Sequence, residues 1–238
     1  MLRQFSKRVY YSDPAEETDR PVLGYIAGGR YSLMIDAGNS PCHVEDFYCG
    51  LDEQGLKRPD FVVLTHSHWD HSFGLCRTGA VSISCRETAE ELGKLSSVEW
   101  NLERLEKAVE AGLIPLFCRE HILKEYPDLS RIKVVRPDIC FEEELALDLG
   151  GATCLLKKLV SPHAEDCAAV YIPEEKVLFI GDADCEKICG REFIDNKEKL
   201  KKLERSLSGL EFHTVFTGHS QPEPKEDLFR WFHERLSK

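Results

Sequence analysis

The stretch "VVLTHSHWDHSFG", Val62 to Gly74, decides how the rest of the chain is read. An apolar, β-branched run leads into His66, His68, Asp70 and His71, all within six residues. β-Branched residues suit a buried strand. In the tail of a strand, residues two apart face the same side, so His66 and His68 can grip one ion together. Asp70 and His71 follow after the chain turns and can reach a second position nearby. Imidazole and carboxylate suit zinc, and also iron or manganese.

Four side chains are too few for two ions, and three further polar residues follow strand-like runs downstream. "LVSPHAEDC" places His163 after an apolar run over 153–160, "VLFIGDADC" places Asp182 after 177–180, and "VFTGHS" places His219 after 214–217. Loops at one edge of a layered sheet converge, so these residues are expected to meet the first four.

The organisation of the chain supports a layered α/β reading. "VLGYIAGG" and "RYSLMIDAG" suggest a hairpin around a Gly-Gly turn, and the first quarter as a whole reads as strands. "FVVLT" and "AVSISC" are further strands. Between about 87 and 127 the pattern becomes helical, with Ser96 or Ser97 as the expected N-cap, Glu99 as its capping-box partner and Gly112 as the stop. Strands are expected again in "IKVVRPD", "LALDLGG", "ATCLLKKLV", "AAVYIP" and "KVLFIGD", and "VYIPEEKVLFIGD" reads as a hairpin. A lysine-rich helix covers about 196–208, and "KEDLFRWFHERLSK" is amphipathic and helical. Such an alternation puts helices outside stacked sheets.

Composition narrows the function classes. The chain has 238 residues, 42% of them hydrophobic, enough for a real core. Lys plus Arg number 31 against 42 Asp plus Glu, for a net charge of −11, which opposes a nucleic-acid phosphate backbone. The N-terminal stretch has no apolar core of a secretory signal, and no apolar run is long enough to span a membrane. Ten cysteines are scattered without a CxxC pair, which reads as reduced thiols in a cytoplasmic protein. Cys185 and Cys189, four residues apart, read as small buried residues on a helical turn.

The ordered set HxHxDH, His163, Asp182 in "GD" and His219 in "GHS" resembles the metallo-β-lactamase superfamily, and the resemblance runs from "LMIDAGNS" to "TGHSQP". It implies a four-layer αββα sandwich over residues 1–238, with the helical segment about 87–127 as an insert that shapes the substrate pocket. It implies two divalent metal ions, zinc first, with iron or manganese as alternatives. His66, His68 and His163 would bind one; Asp70, His71 and His219 would bind the other; Asp182 would bridge them. Asp36 in "IDAG" would support the site from behind. The implied activity is hydrolysis by a metal-bridging hydroxide of a small ester, lactone, thioester or phosphodiester, with Asp70 as the catalytic carboxylate. The partner is then a small-molecule substrate, with neither nucleic acid nor membrane expected. A catalytically silent metal-binding module, or an iron oxidoreductase of the same fold, are the alternatives.

Departures from the pattern narrow the choice. Flavodiiron relatives carry Glu where this chain has His68. The commonest zinc β-lactamases carry Cys where it has Asp182. Only 19 residues follow His219, too few for the glutathione-binding domain of glyoxalase II-type thioesterases. The loop "SPHAEDC" lacks the glycines that many relatives place around the third histidine. Trp69 is expected beside the metals, and Trp100, Phe117, Arg119, His121, Lys187, Arg191 and Phe193 are candidates for substrate contact. His43, His121, His213 and His233 match no ligand position.

Overall fold

Side-chain alternation along the strands builds the architecture. The computed structural model describes residues 1–112, 114–189 and 192–237. One seven-stranded sheet runs in sequence order: β1 (Leu2–Gln4), β2 (Val9–Ser12), β3 (Gly24–Ala27), β4 (Ser32–Ile35), β5 (Phe61–Val63), β6 (Val81–Cys85) and β7 (Ile139–Phe141). Pairing is antiparallel from β1 to β4 and parallel from β4 to β7. The second sheet holds β8 (Glu144–Asp148), β9 (Thr153–Lys158), β10 (Ala168–Ile172) and β11 (Val177–Gly181). A separate two-stranded ribbon, β12 (Lys187–Cys189) with β13 (Glu192–Ile194), follows. β14 (Thr214–Thr217) and β15 (Glu223–Pro224) complete the second sheet, whose order is β15-β14-β11-β10-β9-β8.

Three separate apolar layers result. Leu33 and Ile35 of β4, Val63 of β5, and Phe179 and Phe216 from the facing sheet form the layer between the sheets. Their neighbours Met34 and Val62 point to the opposite side, under the helices that cover the first sheet. On the second sheet, Leu178, Ile180 and Val215 point outward, under the C-terminal helices. A period of two thus sends alternate residues into different layers. Helix, sheet, sheet, helix is the four-layer αββα sandwich that the sequence implied.

The helices are α1 (Pro41–Glu53), α2 (Trp69–Ser72), α3 (Leu75–Thr78), α4 (Arg86–Leu95), α5 (Leu102–Glu110), α6 (Arg119–Glu125), α7 (Lys197–Ser208) and α8 (Lys225–Ser237). Three sequence readings change. Helix α1 lies in the quarter read as strands; Ser40 caps it by accepting from the His43 amide, and Pro41 opens it. Ser96 does not start a helix but closes α4; Asn101 caps α5 instead, accepting from the Arg104 amide at 2.9 Å. "IKVVRPD" forms no strand: Ile132 and Val134 are buried without a ladder, and pairing begins at Ile139, beyond Pro137, which has no N–H to donate.

The two sheets are stitched at the edge where β5, β11 and β14 end. The Ala168 amide donates to the Thr65 carbonyl at 2.7 Å, and the Val22 amide donates to the Gly218 carbonyl at 2.7 Å. Among the described residues no helix is long and apolar enough to cross a membrane.

Candidate metal centre

All seven sequence-predicted ligands meet at this edge. His66 and His68 lie in the loop after β5, and Asp70 and His71 lie on the one-turn helix α2. His163 follows β9, Asp182 follows β11 and His219 follows β14. One nitrogen from each of His66, His68 and His163 falls in a first cluster whose atoms all lie within 4.8 Å of one another. Donor atoms of Asp70, His71, Asp182 and His219 form a second. Asp182 stands between the two: its Oδ1 is 3.4 Å from His71 Nε2, and its Oδ2 is 3.7 Å from His163 Nε2 and 3.5 Å from His219 Nε2.

The surroundings commit the outer nitrogen of two imidazoles and leave the inner one free. His71 Nδ1 is 2.8 Å from Asp36 Oδ2, so it donates there, and its Nε2 faces Asp70 and Asp182. His163 Nδ1 donates to the Glu186 carbonyl at 3.0 Å, leaving Nε2 2.9 Å from His68 Nδ1. Such outer partners fix the tautomer that offers a lone pair to a metal. Asp36 also accepts from the Thr65 amide at 2.7 Å and the Thr65 hydroxyl at 2.9 Å, and holds a left-handed backbone at φ 59°. Gly218 lets the two ligand loops close: a Cβ there would lie 1.9 Å from Asp182 Oδ1.

The loop lacking the family's glycines is held by other means. The Asp166 carboxylate accepts from the Ser67 amide at 2.8 Å and the Thr88 hydroxyl at 3.1 Å, tying the loop to the first motif. The Ser161 hydroxyl accepts from the His163 amide at 2.9 Å and donates to the Ala183 carbonyl at 2.8 Å.

The donor set fits cations. His66 Nε2, His71 Nε2 and Asp182 Oδ1 are buried without a hydrogen-bond partner, although buried polar atoms are normally satisfied. Burial pushes the His66 imidazole well down, and burial with the neighbouring His163 pushes His68 down to about 4. Both are therefore neutral donors near pH 7. Burial alone would raise the Asp70 and Asp182 carboxyls, but the His71 and His219 imidazoles hold both well below the usual carboxylate range.

A cavity of about 680 Å3 opens over the two clusters. Its wall includes Asp19, Phe117, Cys118, His121, Ile188 and Phe193. Phe117, His121 and Phe193 were candidates in the sequence; Asp19 was not, because nothing local marks it. Asp19 Oδ1 is 3.9 Å from His219 Nδ1, and burial together with the Asp70 carboxylate pushes its carboxyl up to about 6.

Other candidates fall away. Trp69 does not face the site; it is 2% exposed and packs edge-on against Phe73, which lies against Trp100 in the core. The helical turn expected for Cys185 and Cys189 is absent: Cys185 sits in the turn after Asp182, and Cys189 ends β12. Arg119 lies farther out and pairs with Glu106 at 2.6 Å. Arg191 lies outside the described residues. Among the other histidines, His43 is a core residue, while His213 and His233 are exposed.

Comparison with known proteins agrees with this geometry. Residues 20–219 match the metallo-beta-lactamase superfamily. An acyl-coenzyme A thioesterase of Gallus gallus is 27% identical over 175 residues, covering 70% of this chain and 58% of that protein. The chain thus matches little more than half of that relative's length. A metallo-beta-lactamase from Pontibacter korlensis superposes with a TM-score of 0.64 at 16% identity, over 100% of this chain and 97% of the other. A metallo-beta-lactamase family protein from Thermus thermophilus superposes with a TM-score of 0.66 at 21% identity, over 98% and 80%.

Proposed function

The chain belongs to the metallo-β-lactamase superfamily, and from that membership we propose a dinuclear metal-dependent hydrolase of a small ester, lactone, thioester or phosphodiester. One observation carries the reading: the Asp182 carboxylate lies between the two donor clusters, with Oδ1 toward His71 of the second and Oδ2 between His163 of the first and His219 of the second. His66, His68 and His163 would hold one divalent ion and Asp70, His71 and His219 the other, with Asp182 shared. Zinc suits this set of imidazoles and carboxylates, as do iron and manganese. The segment about 87–127 serves as a pocket-shaping insert in a single domain over 1–238. Nine of the ten cysteines, from Cys42 to Cys185, are unpaired, in keeping with a reducing compartment, and we place the protein in the cytoplasm.

Held by these residues, two divalent ions would supply hydroxide near neutral pH, since a bound metal can lower the pKa of water from 15.7 to about 7, and would polarise the scissile carbonyl or phosphoryl oxygen. The protein's own groups do the rest. Asp36 and the Glu186 carbonyl keep His71 and His163 in the donor tautomer. Asp70, at 3.1 Å from both His71 Nε2 and His219 Nε2, orients the nucleophile and can carry its proton to the leaving group. Burial of His66 and His71 excludes bulk water from the inner side, so charges there act in a low dielectric. The 27% match to an acyl-coenzyme A thioesterase adds weight to acyl over phosphoryl substrates.

The test is a hydrolysis panel on metal-reconstituted protein with a chelator control. It sets p-nitrophenyl esters, lactones and thioesters against bis-p-nitrophenyl phosphate. Turnover that a chelator abolishes and added metal restores supports the hydrolase. Two metals bound with no turnover of any substrate would sink it in favour of a silent metal-binding module or an oxidoreductase.

A further inference from the structure

The cavity over the metal clusters does not end there. A second hollow of about 630 Å3 shares Phe117, His121, Ile188 and Phe193 with it and runs outward past Leu116. The two form one groove, walled on one side by the segment before α6 and on the other by the β12–β13 ribbon. Phe117 is 50% and Phe193 64% exposed. A contiguous apolar tract rimmed by polar residues marks a ligand groove more than a single exposed apolar residue does, and these two line the same hollow. The Phe117 ring also lies against His121, with centroids 5.3 Å apart and the rings tilted by 46°, which links the apolar tract to the wall of the metal cavity.

The acidic and basic residues that line the metal cavity are all carboxylates apart from its histidines. Glu16, Asp19 and Glu186 line the metal cavity in addition to the ligand carboxylates Asp70 and Asp182. Among the described residues lining that cavity none is Lys or Arg. Farther out, Arg119 is neutralised by Glu106, and Glu120 stands beside it. Five carboxylates would outweigh the charge of two divalent ions and leave no net positive charge to draw in a phosphate, and like-charge repulsion penalises an anionic substrate.

From this we propose that the substrate is an uncharged carboxylic ester or thioester with an apolar chain, and that the chain lies along Phe117, Ile188 and Phe193 while its carbonyl reaches the metal clusters. The proposal rests on the hydrolase reading above and narrows it: phosphodiesters are excluded, and selectivity belongs to one aromatic residue from the helical segment and one from the ribbon. Ligand sites of this size are mostly apolar, with a few polar groups that fix orientation.

The experiment has two parts. The first measures kcat/KM for N-acetylcysteamine thioesters from acetyl to octanoyl, beside bis-p-nitrophenyl phosphate and octanoyl-coenzyme A. A partly covered methylene contributes about twofold per added CH2, so the octanoyl ester should exceed the acetyl ester by well over tenfold. Phe117→Ala and Phe193→Ala should each flatten that ladder severalfold, while Leu155→Ala, an exposed apolar residue on β9 of the other sheet, should leave its slope intact. The second part titrates octanamide and acetamide into metal-loaded and metal-free protein by calorimetry. Tighter binding of octanamide, weakened in both Phe variants, supports the proposal. Equal affinity for the two amides together with a flat ladder overturns it, as does faster turnover of the phosphodiester or a clear preference for the coenzyme A ester. If no substrate is turned over, the hydrolase reading fails and amide binding still decides whether the groove holds an apolar chain.

Discussion

At Asp182 one carboxylate faces three imidazoles from three different segments, those of His71 on α2, His163 and His219. If it is shared by two ions, Asp182→Ala should lower loading at both positions and activity with it, read by metal analysis on the purified variant. Loading of two ions per chain in that variant would remove the bridging role. His163→Ala should instead lose mainly one ion. A different residue governs acid stability. His43 is 4% exposed, and burial, aided by the charge of Arg20, holds its imidazole down at about 3 against an ordinary 6.5. Its folded pKa is depressed, so its contribution is complete above about pH 6.5 and is lost as pH falls toward 3, where the unfolded chain takes up a proton that the folded chain refuses. At pH 5 the wild type should have lost about 2 kcal/mol more than His43→Gln, relative to pH 7. Urea unfolding of both chelated proteins at the two pH values measures it, and equal losses would remove His43 as the cause. The seven candidate donors that the fold brings together were legible because their residue types and order are themselves the signal. Asp19 was not, because a lone acid in an N-terminal segment carries no pattern; only its approach to His219 gives it a place.

At the scale of elements, the loop from His163 to Asp166 shows how a local departure is compensated. Without the tightening glycines, the loop relies on the Asp166 carboxylate, which is 4% exposed and accepts from Ser67 and Thr88. Asp166→Ala strands the buried Ser67 amide, while the Thr88 hydroxyl keeps the residue-166 carbonyl at 3.0 Å, and should destabilise the protein by about 2 kcal/mol. Because Ser67 sits between His66 and His68, the same change should weaken one metal position by about tenfold. Chemical denaturation and competition with a chromophoric chelator read the two effects, and Asp166→Asn, which keeps one acceptor, should recover part of both. An unchanged metal affinity would mean that the strap serves folding alone. The misread elements have physical reasons. Helix α1 announces itself only through Ser40-Pro41, a cap and a first-turn proline, since its apolar residues mix with Cys, Gly and acids. The Ser-Ser pair before Val98 mimics a capping box, yet Asn101 lies nearer the residues that turn inward, Leu105 and Ala108.

At the scale of the whole molecule, the last helix reaches the site. Arg235 of α8 is 3% exposed; its guanidinium donates to the Asp184 carbonyl and to Asp195 Oδ1, the latter at 2.7 Å, with Glu186 3.9 Å away. Asp184 and Glu186 follow the ligand Asp182, the Glu186 carbonyl orients His163, and Asp195 follows β13 of the ribbon. One buried cation thus ties the C-terminal helix to both ends of the segment that carries Ile188 and Phe193. Arg235→Met should destabilise the fold by about 2 kcal/mol, the scale of a buried charged hydrogen bond, and should raise KM more than it lowers kcat. Arg235→Lys should fall between, because a lysine cannot reproduce the planar fork. Equal KM in all three proteins would confine Arg235 to stability.

Residue order alone determined which atoms can bind metal, that they follow strands, and that helices lie outside stacked sheets, because donor chemistry and side-chain period are properties of neighbours along the chain; the four-layer αββα order came from the family resemblance. Tertiary structure decided what those properties cannot contain. Whether Asp182 reaches both clusters depends on how close the ends of β5, β11 and β14 come, down to the missing Cβ of Gly218. Whether Trp69 faces the site or the core depends on which side of α2 the core lies. The groove exists only because a segment near residue 117 and a ribbon near residue 190 stand across from each other, and no local pattern records an approach between stretches that far apart.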